Sequence, residues 1–489
     1  MMIEPGALLD PASWRRSRWI GHAGNCRETL SVREPASGSV LGEIGRATAL
    51  DVAEAAARAS KAQPGWAALG GGQRAAILRR AADCLAANQA EYSLWLARES
   101  GSARVKVGIE LAAGIGILHK AAAMLSEPQG LVLPQLPGRT SLGRRVPHGV
   151  VGVISPFNFP LILGIRAVAP ALAAGNAVIL KPDPRTPFSG GALMARVLEL
   201  AGLPEGLLQV LPGHGDVGAA MCEDARIAMI SFTGSTAAGR RVGEACGRML
   251  KKVQLELGGK NPLIVLEDAE LDLAVESALW GAFLHQGQIC MATGRILVAR
   301  SVLAPFTERL LEKAGKLKAG DPVDPDVVIG PLIDAGQRDR VHALVQRSVQ
   351  EGARLLLGGS HDGLIYAPTI LADVRPGMAV FEEEVFGPVA AITGFDTDDQ
   401  AVALASTNEY GLSAGIISRD LGRATGLGDR LDVGMLHIND QTVADEPGIP
   451  FGGRRNSGNG ESIGGPANWD AFSSWQWMTL RERPTPHHL

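Results

Sequence analysis

The chain alternates short strand-like apolar runs with longer segments of helical period, and the alternation becomes regular after Gly149. Residues 150–154 form an uninterrupted apolar run, and 177–180, 207–211, 227–232 and 253–257 are further short runs of strand length. Helical segments at 160–174, 187–201, up to Cys222, and 235–246 separate them. Strands spaced by helices of this length predict a parallel sheet with helices on both faces. Ligands of such sheets sit beyond the carboxyl ends of the strands. Those ends fall at 155–158, 181–185, 212–215, 233–235 and 258–259, where small, polar and glycine residues suit a nucleotide.

Before this unit the pattern predicts strands at 28–33 and 39–44, joined by a turn at Pro35-Ala36-Ser37-Gly38. Helices follow at 51–62, stopped by Pro64-Gly65, and at 73–88, 90–99 and 108–125. Residues 127–149 are punctuated by Pro and Gly, with a strand at 140–145, and read as a protruding arm. A second α/β unit starts near Asn261, with a strand at 263–266 and a helix at 271–286, and continues through Thr393, Gly415 and Leu436. The tail carries Trp469, Phe472, Trp475 and Trp477, and 474–480 alternates like a strand. An apolar edge of this kind needs cover, either from another subunit or from within the chain. The expected division is 1–126 with 148–258 as a nucleotide-binding domain, 259–455 as a catalytic domain, and 127–147 with 456–489 as arm and tail.

Composition narrows the classes. A chain of 489 residues has material for two or three domains, and a net charge of −4 with no basic stripe gives no case for nucleic acid. No apolar run reaches the length of a membrane span, and the N-terminus lacks the apolar core of a leader. Five scattered cysteines without a CxxC pair argue against a disulfide framework and a zinc site, and suit a reducing cytosol.

Four segments carry candidate chemistry. In Gly287-Gln288-Ile289-Cys290 a thiol follows a glycine, either as a reachable nucleophile or as a small buried residue. Glu256 ends a strand before Gly258-Gly259, where a carboxylate serves as a general base or is simply solvated. Gly213-His214-Gly215-Asp216-Val217-Gly218 fits the dinucleotide pattern GxGxxG, but no acidic residue stands about 20 positions on, and a tight turn reads as well. Phe232-Thr233-Gly234-Ser235-Thr236 is a strand end and helix start, suited to a pyrophosphate or to an ordinary N-cap.

Taken together, FNFP (157–160), KP (181–182), FTGS (232–235), ELGGKNP (256–262), GQIC (287–290), EEVFGP (383–388) and PFGG (450–453) with a later SG-x-G resemble the aldehyde dehydrogenase superfamily, from about residue 33 to 480. The resemblance implies an α/β fold: a Rossmann-type parallel-sheet cofactor domain, an α/β catalytic domain and a β oligomerisation arm. It places the nucleophile on Cys290, the general base on Glu256 and the oxyanion donor on Asn158. It assigns cofactor contacts to Ser155, Pro156, Phe157, Lys181, Arg185, Gly213, Gly218, Phe232, Gly234, Ser235, Gly258, Glu384 and Phe386, with Glu384 on the nicotinamide ribose. It also implies NAD as cofactor, a small-molecule aldehyde as substrate, a homodimer or homotetramer, a cytoplasmic location, and no metal.

The chain departs from the family pattern at Lys181-Pro182-Asp183-Pro184-Arg185-Thr186, where Pro184 stands at the position of the usual ribose-binding glutamate. Losing that carboxylate removes a barrier to a 2′-phosphate, so NADP becomes possible. Asp183 offers a substitute acceptor, and Arg185 an attraction for phosphate. This variant, with Phe157 for the commoner tryptophan, resembles the benzaldehyde and vanillin dehydrogenase branch. The implied substrate tunnel includes Phe159, Leu163, Arg166, Ile289, Met291, Thr442 and Phe451, where aromatic and thioether side chains suit a ring or simply pack the domain. Arg166 either hydrogen-bonds a substrate phenol or carboxylate, or lies in a salt bridge. The expected activity is oxidation of an aromatic aldehyde to the acid. The rivals are a CoA-acylating or aliphatic aldehyde dehydrogenase, and a non-catalytic structural relative.

Overall fold

The computed structural model describes Leu8 and residues 28–484. The N-terminal stretch read as lacking a leader, and the last five residues of the expected tail, lie outside the described residues. Two sheets organise the chain. The first has five strands in the spatial order Leu208–Val210, Ala177–Lys181, Val150–Ile154, Ile227–Thr233, Lys252–Glu256, all paired in parallel. In chain order this is 3-2-1-4-5, so the winding reverses between Val150–Ile154 and Ile227–Thr233, where a crevice opens for a ligand. Val150–Ile154 and Ala177–Lys181 are buried along their whole length, which is why their sequences carry no polar alternation.

The second sheet has seven strands, in the order Arg354–Leu357, Thr369–Ala372, Val389–Phe395, Thr293–Ala299, Asn261–Val265, Ser413–Ile417, Met435–Ile438. Only the pairing of Arg354–Leu357 with Thr369–Ala372 is antiparallel. The arm is a third sheet in which Ser473–Leu480 pairs with Thr140–Pro147, and that strand with Gly130–Val132. The segment between the second sheet and the arm packs back on the first sheet: Leu257 N donates to Ser457 O at 2.9 Å.

Three elements differ from the sequence-based expectation. The helix Ala49–Ala68 runs through Pro64 instead of stopping there. Proline inside a helix removes one hydrogen bond, but buried Trp66 just beyond it donates Nε1 to Leu172 O at 2.8 Å and anchors the last turn. The segment Arg104–Ser126 is long and apolar enough by composition to cross a membrane, contrary to the expectation that no run is. It packs as a core helix: a Cβ at Gly114 would lie 2.9 Å from Leu161, and a fully buried Lys106–Glu110 pair sits on its inner face. Finally, the helix Leu271–Phe283 ends earlier than residue 286, because His285, Gln286 and Gly287 take left-handed φ values of 48°, 45° and 67°.

Candidate active site

The carboxyl ends of the first sheet open on a cleft of about 840 Å³. In chain order, Ser155, Pro156, Phe157 and Asn158 enter it after the first strand, Lys181 at the end of the second, and Asp183 and Arg185 just beyond it. In the same order, Phe232 lies at the end of the fourth strand, Gly234 and Ser235 just after it, and Gly258 beyond the fifth. Cys290, Glu384 and Phe386 reach the same cleft from the other half of the chain.

Gly213 does not line it. A Cβ there would press within 2.5 Å of Val217, so the glycine serves a tight turn, while Gly215 and Gly218 face the cleft. Ser235 caps the helix Thr236–Arg248 by accepting from Ala238 N at 3.3 Å. Gly234 gives its N–H to Glu256 O at 3.0 Å, so an anion at this helix start must use other groups. Lys181 donates to Pro182 O at 3.3 Å, and burial lowers its pKa from the ordinary lysine value.

Cys290 sits in a loop pinned from several sides. The left-handed turn after Phe283 carries Gln286, whose amide donates to Gly101 O at 3.0 Å and to Pro331 O at 2.7 Å. Gln288 accepts from Ile333 N at 3.1 Å, and its carbonyl accepts Asn158 Nδ2 at 2.9 Å. The carbonyl of Cys290 accepts Asn261 Nδ2 at 2.9 Å. Burial, then the negative charges of Glu384, Glu256 and Asp445, push the Cys290 thiol up to about 12. The resting group is therefore a thiol, and its proton must be drawn off before it attacks.

Glu256 ends its strand fully buried. Oε1 accepts Gln254 Nε2 at 2.7 Å, while Oε2 accepts no hydrogen bond from the described residues. Burial pushes its carboxyl well above the usual range, with the charge of Arg166 and the Gln254 hydrogen bond pulling the other way. A carboxyl raised toward neutrality is suited to exchange a proton at working pH.

Glu384 accepts Gly259 N at 3.0 Å, and burial raises its carboxyl too. Two residues absent from the sequence-based site hold this segment. Arg340 donates to Glu384 O at 2.8 Å, and Gln337 donates to Phe386 O at 2.8 Å; both line the cleft. Phe386, at φ 54°, meets Phe157 edge to face with ring centroids 5.9 Å apart. Gly258 has no room for a side chain: a Cβ would lie 2.6 Å from Glu384 Oε2. Gly258→Ala is expected to displace Glu384 and lower the affinity of the cleft for a dinucleotide at least about tenfold, a loss of roughly 1.4 kcal/mol, measurable by fluorescence titration.

Arg185 is committed. Its guanidinium grips Asp183 through Nε at 2.8 Å and Nη2 at 2.9 Å, reaches Asp334 at 2.6 Å, and lies 4.2 Å over the Phe157 ring. Asp183 is thereby no free ribose acceptor. Burial works against its charge, but Arg185 holds its carboxyl below the usual range.

Of the expected tunnel residues, Leu163 lines the cleft. Phe159 lies under Lys106 Nζ at 4.4 Å and meets His285 edge-on at 5.6 Å. Ile289 and Met291 flank Cys290 and are buried. Thr442 is a brace: its hydroxyl donates to Met291 O at 2.6 Å and stands 2.8 Å from that of Thr293. Arg166 lies 4.7 Å over the Phe451 ring and forms a salt bridge with Asp445, a residue the sequence did not single out.

The fold and the cleft define an α/β protein in which a cysteine and a side-chain amide from separate segments line one nucleotide-sized crevice, while Glu256 lies buried behind its lining with its charge acting on the thiol. The aldehyde dehydrogenase family profile matches residues 19–478. A vanillin dehydrogenase of an Amycolatopsis species is 53% identical over 97% of this chain and 98% of its own. A benzaldehyde dehydrogenase [NAD(+)] of Pseudomonas putida is 49% identical over 96% of each. The crystal structure of an NAD-dependent aldehyde dehydrogenase from Sinorhizobium meliloti superposes with a TM-score of 0.93, at 34% identity, over 96% of this chain and 95% of that one. The chain belongs to the aldehyde dehydrogenase family.

Proposed function

We propose that this protein oxidises aldehydes, aromatic ones foremost, to carboxylic acids with NAD, through a covalent intermediate on Cys290. Cys290 and Asn158 at one end of the cleft, with the buried Glu256 carboxyl near enough for its charge to act on the thiol, carry the reading, and the names of the vanillin and benzaldehyde relatives support an aromatic substrate.

The residues suit NAD. The helix start at Ser235 and the glycine faces at 215 and 218 leave room along the first sheet, and Gly258 keeps a cradle that a Cβ would fill against Glu384. Lys181 and Glu384 would hold the two ribose ends. Bound NAD supplies the two-electron acceptor that turns a cysteine-bound hemithioacetal into a thioester.

The chain's own groups do the rest. Cys290 Sγ, once deprotonated, adds to the aldehyde carbon, and the new oxyanion takes a hydrogen bond from the Asn158 amide. The hemithioacetal is thereby oriented on the thiol between Asn158 and the cofactor side of the cleft. Glu256 then removes a proton from water, which attacks the thioester and releases the acid and the Cys290 thiol. A CoA-acylating route would leave Glu256 without this task; acyl-CoA formed in place of free acid when CoA is supplied would overturn the hydrolytic reading.

Arg185 is occupied by two carboxylates, and Asp183 puts a negative charge on the cleft wall. NAD is therefore expected to exceed NADP in kcat/KM by about tenfold, or roughly 1.4 kcal/mol, with NADP still used. The same assay, following reduced-cofactor absorbance with benzaldehyde, vanillin and hexanal, tests the substrate: faster turnover of hexanal would remove the aromatic reading.

The arm points to a homodimer or homotetramer. Trp475, Trp477 and Leu480 are 51%, 65% and 51% exposed on a strand with one edge unpaired among the described residues, an apolar edge that association would cover. Sedimentation equilibrium is expected to give two or four chains per particle, and Trp477→Lys to shift the distribution toward monomer; a parent sedimenting as a monomer refutes the assembly.

A further inference from the structure

Of the two roles expected for Arg166, a hydrogen bond to a substrate phenol or carboxylate and a salt bridge, the structure shows the second, with Asp445. Arg166 lies on the helix Pro160–Ala173, one turn beyond Leu163 and on the same face, and Leu163 lines the cleft beside Asn158 and Cys290. The guanidinium rests over Phe451 and is paired with Asp445; the two side chains are 7% and 19% exposed. Both charges reach the reaction centre: Asp445 raises the Cys290 thiol and Arg166 lowers the Glu256 carboxyl. The carboxylate is used on one side only. Oδ2 takes the arginine, while Oδ1 is buried and accepts no hydrogen bond from the described residues. A buried acceptor without a donor is costly, and this close to the Cys290 thiol, whose pKa the Asp445 charge raises, the donor can arrive with the substrate.

We propose that the Arg166–Asp445 pair is a specificity device for a ring hydroxyl on an aromatic aldehyde: Asp445 Oδ1 accepts the phenolic proton and Arg166 faces the phenolic oxygen. This rests on the aromatic-aldehyde reading of the site. Phe451, buried beneath the guanidinium, holds Arg166 in place beside the carboxylate. A carboxylate on the substrate would meet the negative charge of Asp445, so the device selects a neutral donor and not an anion. A ring hydroxyl ortho or para to the carbonyl feeds electron density to it and makes it a poorer electrophile, and a meta hydroxyl alters its reactivity little. A preference for hydroxylated substrates therefore reports recognition, not intrinsic reactivity.

The test is kcat/KM at saturating NAD for 2-, 3- and 4-hydroxybenzaldehyde, 4-formylbenzoate and benzaldehyde, each divided by the benzaldehyde value of the same protein. The division cancels any change in the shared chemistry that reaches Glu256 or Cys290. In the parent the best hydroxybenzaldehyde is expected to lead by at least about tenfold, the worth of a hydrogen bond to a charged group, and 4-formylbenzoate not to exceed benzaldehyde. Arg166→Met/Asp445→Leu removes both charges together, which avoids leaving one buried and unpaired; its ratio is expected to fall to about one or below. Asp445→Asn keeps the volume and is expected to lower the ratio at least about threefold, chiefly through KM. A parent without preference for a ring hydroxyl overturns the proposal. So does a preference that survives in the double variant or, should that variant not fold, in Asp445→Asn. If hexanal outruns every aromatic aldehyde, the aromatic reading itself has failed; if aromatics lead but hydroxyl makes no difference, only the role of the pair has.

Discussion

Cys290→Ala protein is expected to oxidise aldehydes at least about four orders of magnitude more slowly than the parent, because removing a covalent nucleophile removes the pathway and not one contact within it. Cofactor binding is expected to stay within about twofold, since the thiol is not among the groups that would hold the ribose or pyrophosphate, and the loop is fixed by main-chain and glutamine contacts that alanine leaves in place. Steady-state oxidation followed by reduced-cofactor absorbance, with NAD affinity measured by calorimetry, separates the two. Substantial turnover by pure Cys290→Ala protein would sink the covalent mechanism.

Glu256→Gln is expected to lower kcat by about 10²–10⁴ while retaining one rapid turnover. The glutamine preserves the shape of a side chain packed at the end of the strand Lys252–Glu256, but cannot take a proton from water. Rapid-mixing experiments are expected to show about one reduced cofactor per active thiol, followed by a stalled thioester. Acid-quenched mass spectrometry would find the acyl group on Cys290. The pH profile carries the sign of the burial. Because burial raises the Glu256 carboxyl, the base form is populated only above its raised pKa. Activity of the parent should therefore fall on the acid side at a pH above the ordinary carboxylate range, and that limb should vanish in Glu256→Gln. A profile flat down to the ordinary range would show that Glu256 is not the titrating base.

The candidate positions beside glycines and strand ends were legible, but their roles came from the resemblance to the family, since each thiol and carboxylate read alone kept a bland alternative. Glu256, Gly258 and Cys290 are local in sequence to the features that place them, and the strand periodicity located the carboxyl ends of the first sheet. What escaped reading depends on contacts between distant segments. Asp445 meets Arg166 across 279 positions, and nothing in its own neighbourhood marks it. Arg340 and Gln337 sit on a helix with ordinary polar residues and act only because that helix passes behind Glu384–Phe386. Gly213 was suggested by a motif whose glycines answer to turn geometry as well as to nucleotides. Pro64 signals a helix stop locally, and the burial of Trp66 overrides it.

The left-handed run at His285, Gln286 and Gly287 bears on how variation in this chain should be interpreted. Valine, isoleucine and threonine resist positive φ, whereas asparagine and glycine accept it. Across a library of variants, position 285 would reject the branched residues even where volume and polarity matched. That pattern resembles the signature of a substrate contact, yet the rejection of branched residues records the handedness the main chain takes before Gln288 meets Asn158. Intolerance at 285 is therefore a property of the route by which the polypeptide reaches its thiol, and it should recur in proteins that share the turn whatever aldehyde they accept.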